Sequence, residues 1–315
     1  MLPTGVYAPV PTPFDDDGEV DLTRFRAALT RWIASPLTGL VVLGSNGEAP
    51  FVDEDESDRL IGAAREAAPR GRPVIAGTGR ESTRATIRAS ERAAALGADA
   101  VIVRTPGFFK SQMTSDAFVR HYTAVADASP VPVLLYNFTA VTGVNIGPDA
   151  VGRLAEHPNV AGIKESGGDV AQIAAFVAGG GPGFRVFAGS STSFYASLCV
   201  GASGGILALA CVAPAACVRL YQLTMTGAHA DALDLQRQLV PAARLLGNRF
   251  GVAGLKAALG LVGCDVGRPR GPLVAIDDAG LAALRAALAP LDELLLANSS
   301  VSSTSRSFTA SHDDR

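Results

Sequence analysis

Residues 159–169 read NVAGIKESGGD, and the lysine in this stretch is where chemistry first suggests itself. Val160-Ala161-Gly162-Ile163 has the make-up of a short buried strand, and it delivers Lys164 at its end. Burial penalises an ammonium ion, so a lysine among apolar walls is biased toward the free amine. A free amine is a nucleophile whose natural target is a ketone carbon, and the product is an imine. Once protonated, that imine withdraws electrons and lets a carbon–carbon bond two atoms away break. Side chains alternate along a strand, which puts Val160, Gly162, Lys164 and Ser166 on one face. The same parity joins Leu134 with Tyr136, Val41 with Leu43 and Ser45, and Gly204 with Ile206. If these faces point inward, an amine, a phenol and two hydroxyls converge, with Gly162 and Gly204 leaving them space. Tyr136 then becomes the proton carrier. The plain alternative is that Lys164 pairs with Glu165 or extends its charge into solvent. The strand-end setting and the partner hydroxyls favour the chemical reading.

Other motifs carry less. GLVVLGSNGEAPF ends a strand in a glycine-bounded turn, whose backbone N–H groups suit an anion such as a carboxylate. GTGRES, residues 77–82, imitates the start of a dinucleotide fingerprint but lacks its third glycine, and reads as a turn into a helix. His121, His157, His229 and His312 are scattered, none at a predicted strand end, which argues against a histidine metal site or triad. Cys199, Cys211, Cys217 and Cys264 have no zinc spacing and read as reduced core thiols. The acidic run Asp15–Asp17 is most simply a solvated turn.

The elements that must position these residues can be read from the apolar pattern. Strands are predicted near Val6–Pro11, Gly39–Gly44, Pro73–Gly77, Ala100–Arg104, Pro132–Asn137, Val160–Lys164, Arg185–Gly189 and Gly204–Leu209. Several are continuous apolar runs, as expected of parallel strands covered on both faces. Helical stretches lie between them. Asp53 with Glu56 offers a capping box, Gly97 closes the helix in ESTRATIRASERAAALG, and Pro130 stops the one in TSDAFVRHYTAVADAS. Eight β/α units predict a (β/α)8 TIM barrel, with a doubly wound sheet as the alternative. In a TIM barrel the site lies at the C-terminal ends of the strands, which is where Lys164 falls. From Pro214 onward the pattern is only helical. The predicted organisation is a barrel over residues 1–228, a C-terminal helical extension over 229–297, and a Ser/Thr-rich tail, 298–315, expected to be disordered.

The 315 residues are 48% hydrophobic and 18% charged, with a formal net charge of −3. That balance gives no electrostatic footprint for nucleic acid. The start, MLPTGVYAPVPTPFDDD, lacks the basic and apolar regions of a signal peptide, so a cytoplasmic protein is expected. No charged residue occurs from Gly189 to Val218, but glycines and Pro214 interrupt that stretch. It reads as strand, helix and strand in a soluble core rather than a membrane span.

Taken together, these residues resemble the pyruvate-dependent Schiff-base aldolases that include N-acetylneuraminate lyase and dihydrodipicolinate synthase. The likeness runs from GVYAPVPTPF to GVAGLKAALGLVG. It is strongest toward 4-hydroxy-2-oxoglutarate aldolase, on GSNGEAPF, ESTRATI, ADASPVPVLLYN, HPNVAGIKESGGDV and RFGVAGLK. The resemblance implies a TIM barrel, a homotetramer, Lys164 as the imine-forming residue and Tyr136 as proton shuttle. It places Ser45 and Asn46 on the pyruvyl carboxylate, with backbone help around Ile206, and Ser166 toward the distal end of the substrate. It implies no metal and no diffusible cofactor. Three departures stand out. Phe108 and Phe109 occupy the place of a Tyr-Tyr pair, Val141 that of an arginine and Thr139 that of a proline. Losing a charge-assisted contact typically costs about 1.5–3 kcal/mol, enough to change substrate choice.

The expected activity is a class I aldolase that cleaves a 4-hydroxy-2-oxo acid, best 4-hydroxy-2-oxoglutarate, to pyruvate and an aldehyde such as glyoxylate. The competing readings are an aldolase for 2-keto-3-deoxy sugar acids or aryl-type aldehydes, a dihydrodipicolinate synthase-like condensation, and a non-catalytic pyruvate-binding homologue. The expected partner in each case is a small 2-oxo acid, with no nucleic acid and no membrane.

Overall fold

A computed structural model describes residues 2–296. Eight parallel strands close into a barrel in strict chain order: β1 (Gly5–Pro9), β2 (Gly39–Val42), β3 (Val74–Gly77), β4 (Ala100–Arg104), β5 (Val133–Asn137), β6 (Val160–Glu165), β7 (Arg185–Ala188) and β8 (Gly204–Ile206). Alternation along each strand sorts the side chains into two cores. Tyr7, Val41, Ile75, Ile102, Leu134, Tyr136, Phe187 and Ile206 fill the barrel interior. Their neighbours, among them Val6, Leu40, Val42, Val101, Val103, Leu135, Ile163 and Val186, pack outward against the helices. This double burial explains why the strands read as unbroken apolar runs.

Helices follow the strands as the capping signals require. Asp53 and Glu56 form a reciprocal capping box on Glu54–Ala67, Ser82 caps Thr83–Ala95, and Thr114 caps Ser115–Ala128. After β8 come Pro214–Met225, His229–Arg244, Gly251–Leu261 and Asp278–Leu288. The charge-free stretch from Gly189 holds helix Phe194–Cys199, β8 and the first turns of Pro214–Met225. Among the described residues no helix is long and apolar enough to cross a membrane. The tail predicted at 298–315 lies outside the described residues.

Three local expectations fail, because strand parity sees neither register, nor a left-handed turn, nor the close approach of neighbouring strands. The β5–β6 register runs Val133↔Val160 and then Leu134↔Gly162, so Ala161 is a bulge residue. Val160 therefore joins the outer core while Gly162 and Lys164 face inward beside Leu134 and Tyr136. Leu43 also leaves the interior set, turning into the left-handed region at φ 57° and packing with the outer core. Gly162 and Gly204 do not make space for a ligand. A Cβ on Gly162 would collide with the Arg185 carbonyl, and one on Gly204 with the Gly5 carbonyl, so these glycines let neighbouring strands approach.

Candidate active site

β5 and β6 lie side by side with Tyr136 paired to Lys164, and β4 adds Arg104 opposite Tyr136. The register thus brings an amine, a phenol and a guanidinium to the C-terminal rim of three adjacent strands. Lys164 is only 4% exposed, and its Nζ lies 4.3 Å from the centroid of the Tyr136 ring. The Tyr136 hydroxyl shares a 3.0 Å hydrogen bond with the Ser45 Oγ. Its ring is stacked on Phe138 at 5.9 Å.

Ser45 reaches the phenol because the chain turns sharply after β2. Leu43 and Glu48 both adopt left-handed backbone, Gly47 N donates to the Gly44 carbonyl, and the Thr12 hydroxyl donates to the Gly47 carbonyl at 2.6 Å. Gly77 admits the turn, since a Cβ there would strike the Leu43 carbonyl. Glu48 anchors it from below with an ion pair to Lys256 at 2.7 Å and a hydrogen bond from Arg270 N at 2.8 Å. Burial lowers the pKa of Lys256, with Glu48 opposing. Lys256 and Arg270 both sit over the Phe14 ring, so helix Gly251–Leu261 and the loop that follows it brace the turn that carries Ser45.

The strand ends carrying Tyr136 and Lys164 are pinned by the residues that follow them. Glu165, fully buried, accepts hydrogen bonds from Asn137 Nδ2 at 2.6 Å, Gln172 Nε2 at 2.9 Å and Gly167 N. Burial raises its pKa in spite of these donors. Asn137 in turn accepts from Ile146 N at 3.0 Å. This network holds the side chains of Tyr136 and Lys164 in register without touching them.

A cavity of about 590 Å³ opens above these strand ends. Ser45 and Tyr136 line one part of it, and Glu81, Arg104, Lys110 and Phe108 another. Val141 and Phe138 add apolar wall. Of the residues singled out in the sequence, Lys164, Tyr136 and Ser45 come together. Ile206 is fully buried in the interior layer with Tyr136. Lys164 and Ile206 lie below the cavity wall, beneath Tyr136 or in its layer, and Asn46 and Ser166 are half-buried and also off the wall, Ser166 resting against Gly189. Pattern reading missed Arg104 and Glu81. The parity of Arg104 with Ile102 at the end of a predicted strand was the available signal. Among the described residues no group of His, Cys, Asp and Glu is arranged to hold a metal.

Comparison with known proteins gives a consistent result. A model of the Dihydrodipicolinate synthetase family matches residues 2–290. A 4-hydroxy-tetrahydrodipicolinate synthase of an Exiguobacterium species is 36% identical over 291 residues, covering 92% of this chain and 99% of its own. A probable mitochondrial 4-hydroxy-2-oxoglutarate aldolase of Emericella nidulans is 37% identical over 298 residues, covering 93% and 96%. The crystal structure of a dihydrodipicolinate synthase from Acinetobacter baumannii, complexed with pyruvate, superposes with a TM-score of 0.87 at 29% identity, covering 93% of this chain and 99% of that one.

Proposed function

The chain belongs to the dihydrodipicolinate synthetase family, and from that premise we propose that it is a class I aldolase acting on 4-hydroxy-2-oxo acids. The observation that carries the reading is the Lys164 amine 4.3 Å from the Tyr136 ring, whose hydroxyl is hydrogen-bonded to Ser45, with Tyr136 and Ser45 lining one cavity. In this reading the Lys164 amine adds to the C2 ketone and water leaves, giving a protonated imine. Tyr136 takes the proton of the 4-hydroxyl, the C3–C4 bond breaks, and its electrons pass into the imine to form an enamine. The aldehyde departs. The enamine is protonated at C3, and water hydrolyses the imine to release pyruvate and restore Lys164.

Ser45 and Asn46 are assigned the substrate's C1 carboxylate, with the backbone at Ile206, and Ser166 its distal end. Ser45 bridges that role to the phenol through their shared hydrogen bond. The best substrate is 4-hydroxy-2-oxoglutarate, cleaved to pyruvate and glyoxylate. The apolar wall of Phe108, Phe138 and Val141 favours a second reading, in which the same imine chemistry takes a longer or aromatic aldehyde. Val141 at the place of the arginine implied for the synthase supports cleavage over the synthase reaction. The homotetramer belongs to the same reading. Phe108 and Phe109 are 76% and 69% exposed at the cavity rim, an apolar patch that a neighbouring subunit would cover.

A coupled assay of pyruvate release across 4-hydroxy-2-oxo acids tests the function. Release from 4-hydroxy-2-oxoglutarate at the highest kcat/KM is expected. No release from any member of the panel would contradict the assignment, and a preference for aromatic acceptors would select the second reading.

A further inference from the structure

We propose that Arg104 is the specificity residue that receives an anionic group at the far end of the substrate, so that the preferred oxo acids are dicarboxylates. This rests on the imine reading above and adds the charge class of the acceptor half. Arg104 is the last residue of β4, in register with Tyr136, which is in register with Lys164. Neighbouring parallel strands lie about 4.8 Å apart, so two strand spacings, roughly 10 Å, separate the arginine's backbone from that of the lysine. The arginine side chain is held toward the loop after β3 by Glu81, and it lines the same cavity as Tyr136 and Ser45, so the substrate must bridge from the lysine to it.

The guanidinium is already oriented. Its Nη1 donates to Glu81 Oε1 at 2.7 Å and to the Thr105 carbonyl at 3.2 Å. Arginine has five N–H donors. Among the described residues, Nε and Nη2 make no hydrogen bond, so donors remain for a second carboxylate. Glu81 offsets one positive charge of this wall, and its other oxygen accepts from the backbone N–H groups of Gly107 and Phe108, each at 3.0 Å. Burial alone would push the Glu81 carboxyl up, but the hydrogen bonds from Arg104 and these two amides hold it below the ordinary carboxylate range. Lys110 lines the same cavity, so this wall sets two cations against one carboxylate. Gly79 leaves room for the arginine, since a Cβ there would stand 2.7 Å from the Arg104 Cγ. Phe108, Phe138 and Val141, on the same wall, offer a buried carboxylate no charge or hydrogen bond from their side chains. Ser166, assigned to the distal end above, supplies only a neutral hydroxyl, so the charge that an anionic group there requires comes from Arg104.

The test compares two oxo acids that differ only at that end. Wild type, Arg104→Met and Arg104→Lys are each treated with borohydride and graded 2-oxoglutarate or 2-oxopentanoate, with pyruvate as control, and the adduct at Lys164 is read by mass spectrometry. Wild type is expected to half-saturate with 2-oxoglutarate at a concentration about 10- to 100-fold below that for 2-oxopentanoate. Arg104→Met should erase the preference with pyruvate trapping unchanged, and Arg104→Lys should keep part of it. If Arg104→Met also loses pyruvate trapping, Arg104→Lys decides: a full wild-type preference there overturns the role of the guanidinium, a reduced one supports it. The inference is overturned if wild type shows no preference, or if Arg104→Met retains it. Absence of any adduct with pyruvate in wild type is a different result, and would remove the imine reading together with this one.

Discussion

The chain has three lysines, and two of them invite direct comparison. Lys164 and Lys256 are 4% and 3% exposed, and each sits over an aromatic ring, at 4.3 Å from Tyr136 and 4.4 Å from Phe14. Lys256 is fully engaged, by Glu48 at 2.7 Å and the Arg268 carbonyl at 2.9 Å. Lys164 has, among the described residues, neither an ion pair nor a hydrogen bond, and it stands beneath the phenol that lines the cavity. The third, Lys110, is exposed on the rim. Burial by itself therefore does not mark a reactive amine. A buried lysine given a carboxylate is held as a brace, and one left without a carboxylate, against a phenol that lines a cavity, is the candidate nucleophile.

Substitutions at the two buried lysines should fail in different ways. Lys164→Ala is expected to lower pyruvate release by more than about 10⁴-fold with an unchanged unfolding midpoint, since it removes the nucleophile itself. Appreciable residual turnover would dissolve the contrast. Tyr136→Phe should lower kcat by about 10²–10⁴-fold while leaving pyruvate trapping at Lys164 in place, because it removes a proton carrier rather than the nucleophile. Equal loss of trapping would move the phenol's role to imine formation. Lys256→Met leaves Glu48 buried without its cation and should cost about 3–5 kcal/mol in urea unfolding. Adding Glu48→Gln should return part of that loss, and a Lys256→Met protein as stable as wild type would show that this lysine is not a brace.

The smallest effect concerns pH. The Glu56 carboxyl lies below its ordinary value of 4.5, chiefly through its hydrogen bonds with Arg270. Its folded value is the lower one, so its contribution to stability is present above the unfolded value and lost as pH falls through the folded one. Urea midpoints measured downward from pH 6 should drop less steeply below about 4.5 in Glu56→Gln than in wild type. Parallel curves would place the acid sensitivity elsewhere.

Much of this was legible in the sequence, and the rest was hidden for identifiable reasons. Unbroken apolar runs bounded by Gly and Pro located all eight strands to within a few residues, and Asp53 with Glu56 marked a helix start that the structure keeps. Strand parity brought Tyr136 next to Lys164. It misplaced Val160 and Leu43, since a bulge and a left-handed residue depend on pairing partners that alternation does not contain. Lys256 carried no local signal because Glu48 lies in a turn after β2, distant in the chain. Glu81 was concealed in a loop that imitates a nucleotide motif, and its meaning appears only when β4 presents Arg104 to it.

With only three lysines in the chain, the central claim has a clean test. Incubation with pyruvate and borohydride, followed by peptide mapping, is predicted to place one reduced pyruvyl adduct on Lys164 and none on Lys110 or Lys256. An adduct confined to another lysine, or none at all from a catalytically active protein, would contradict the account.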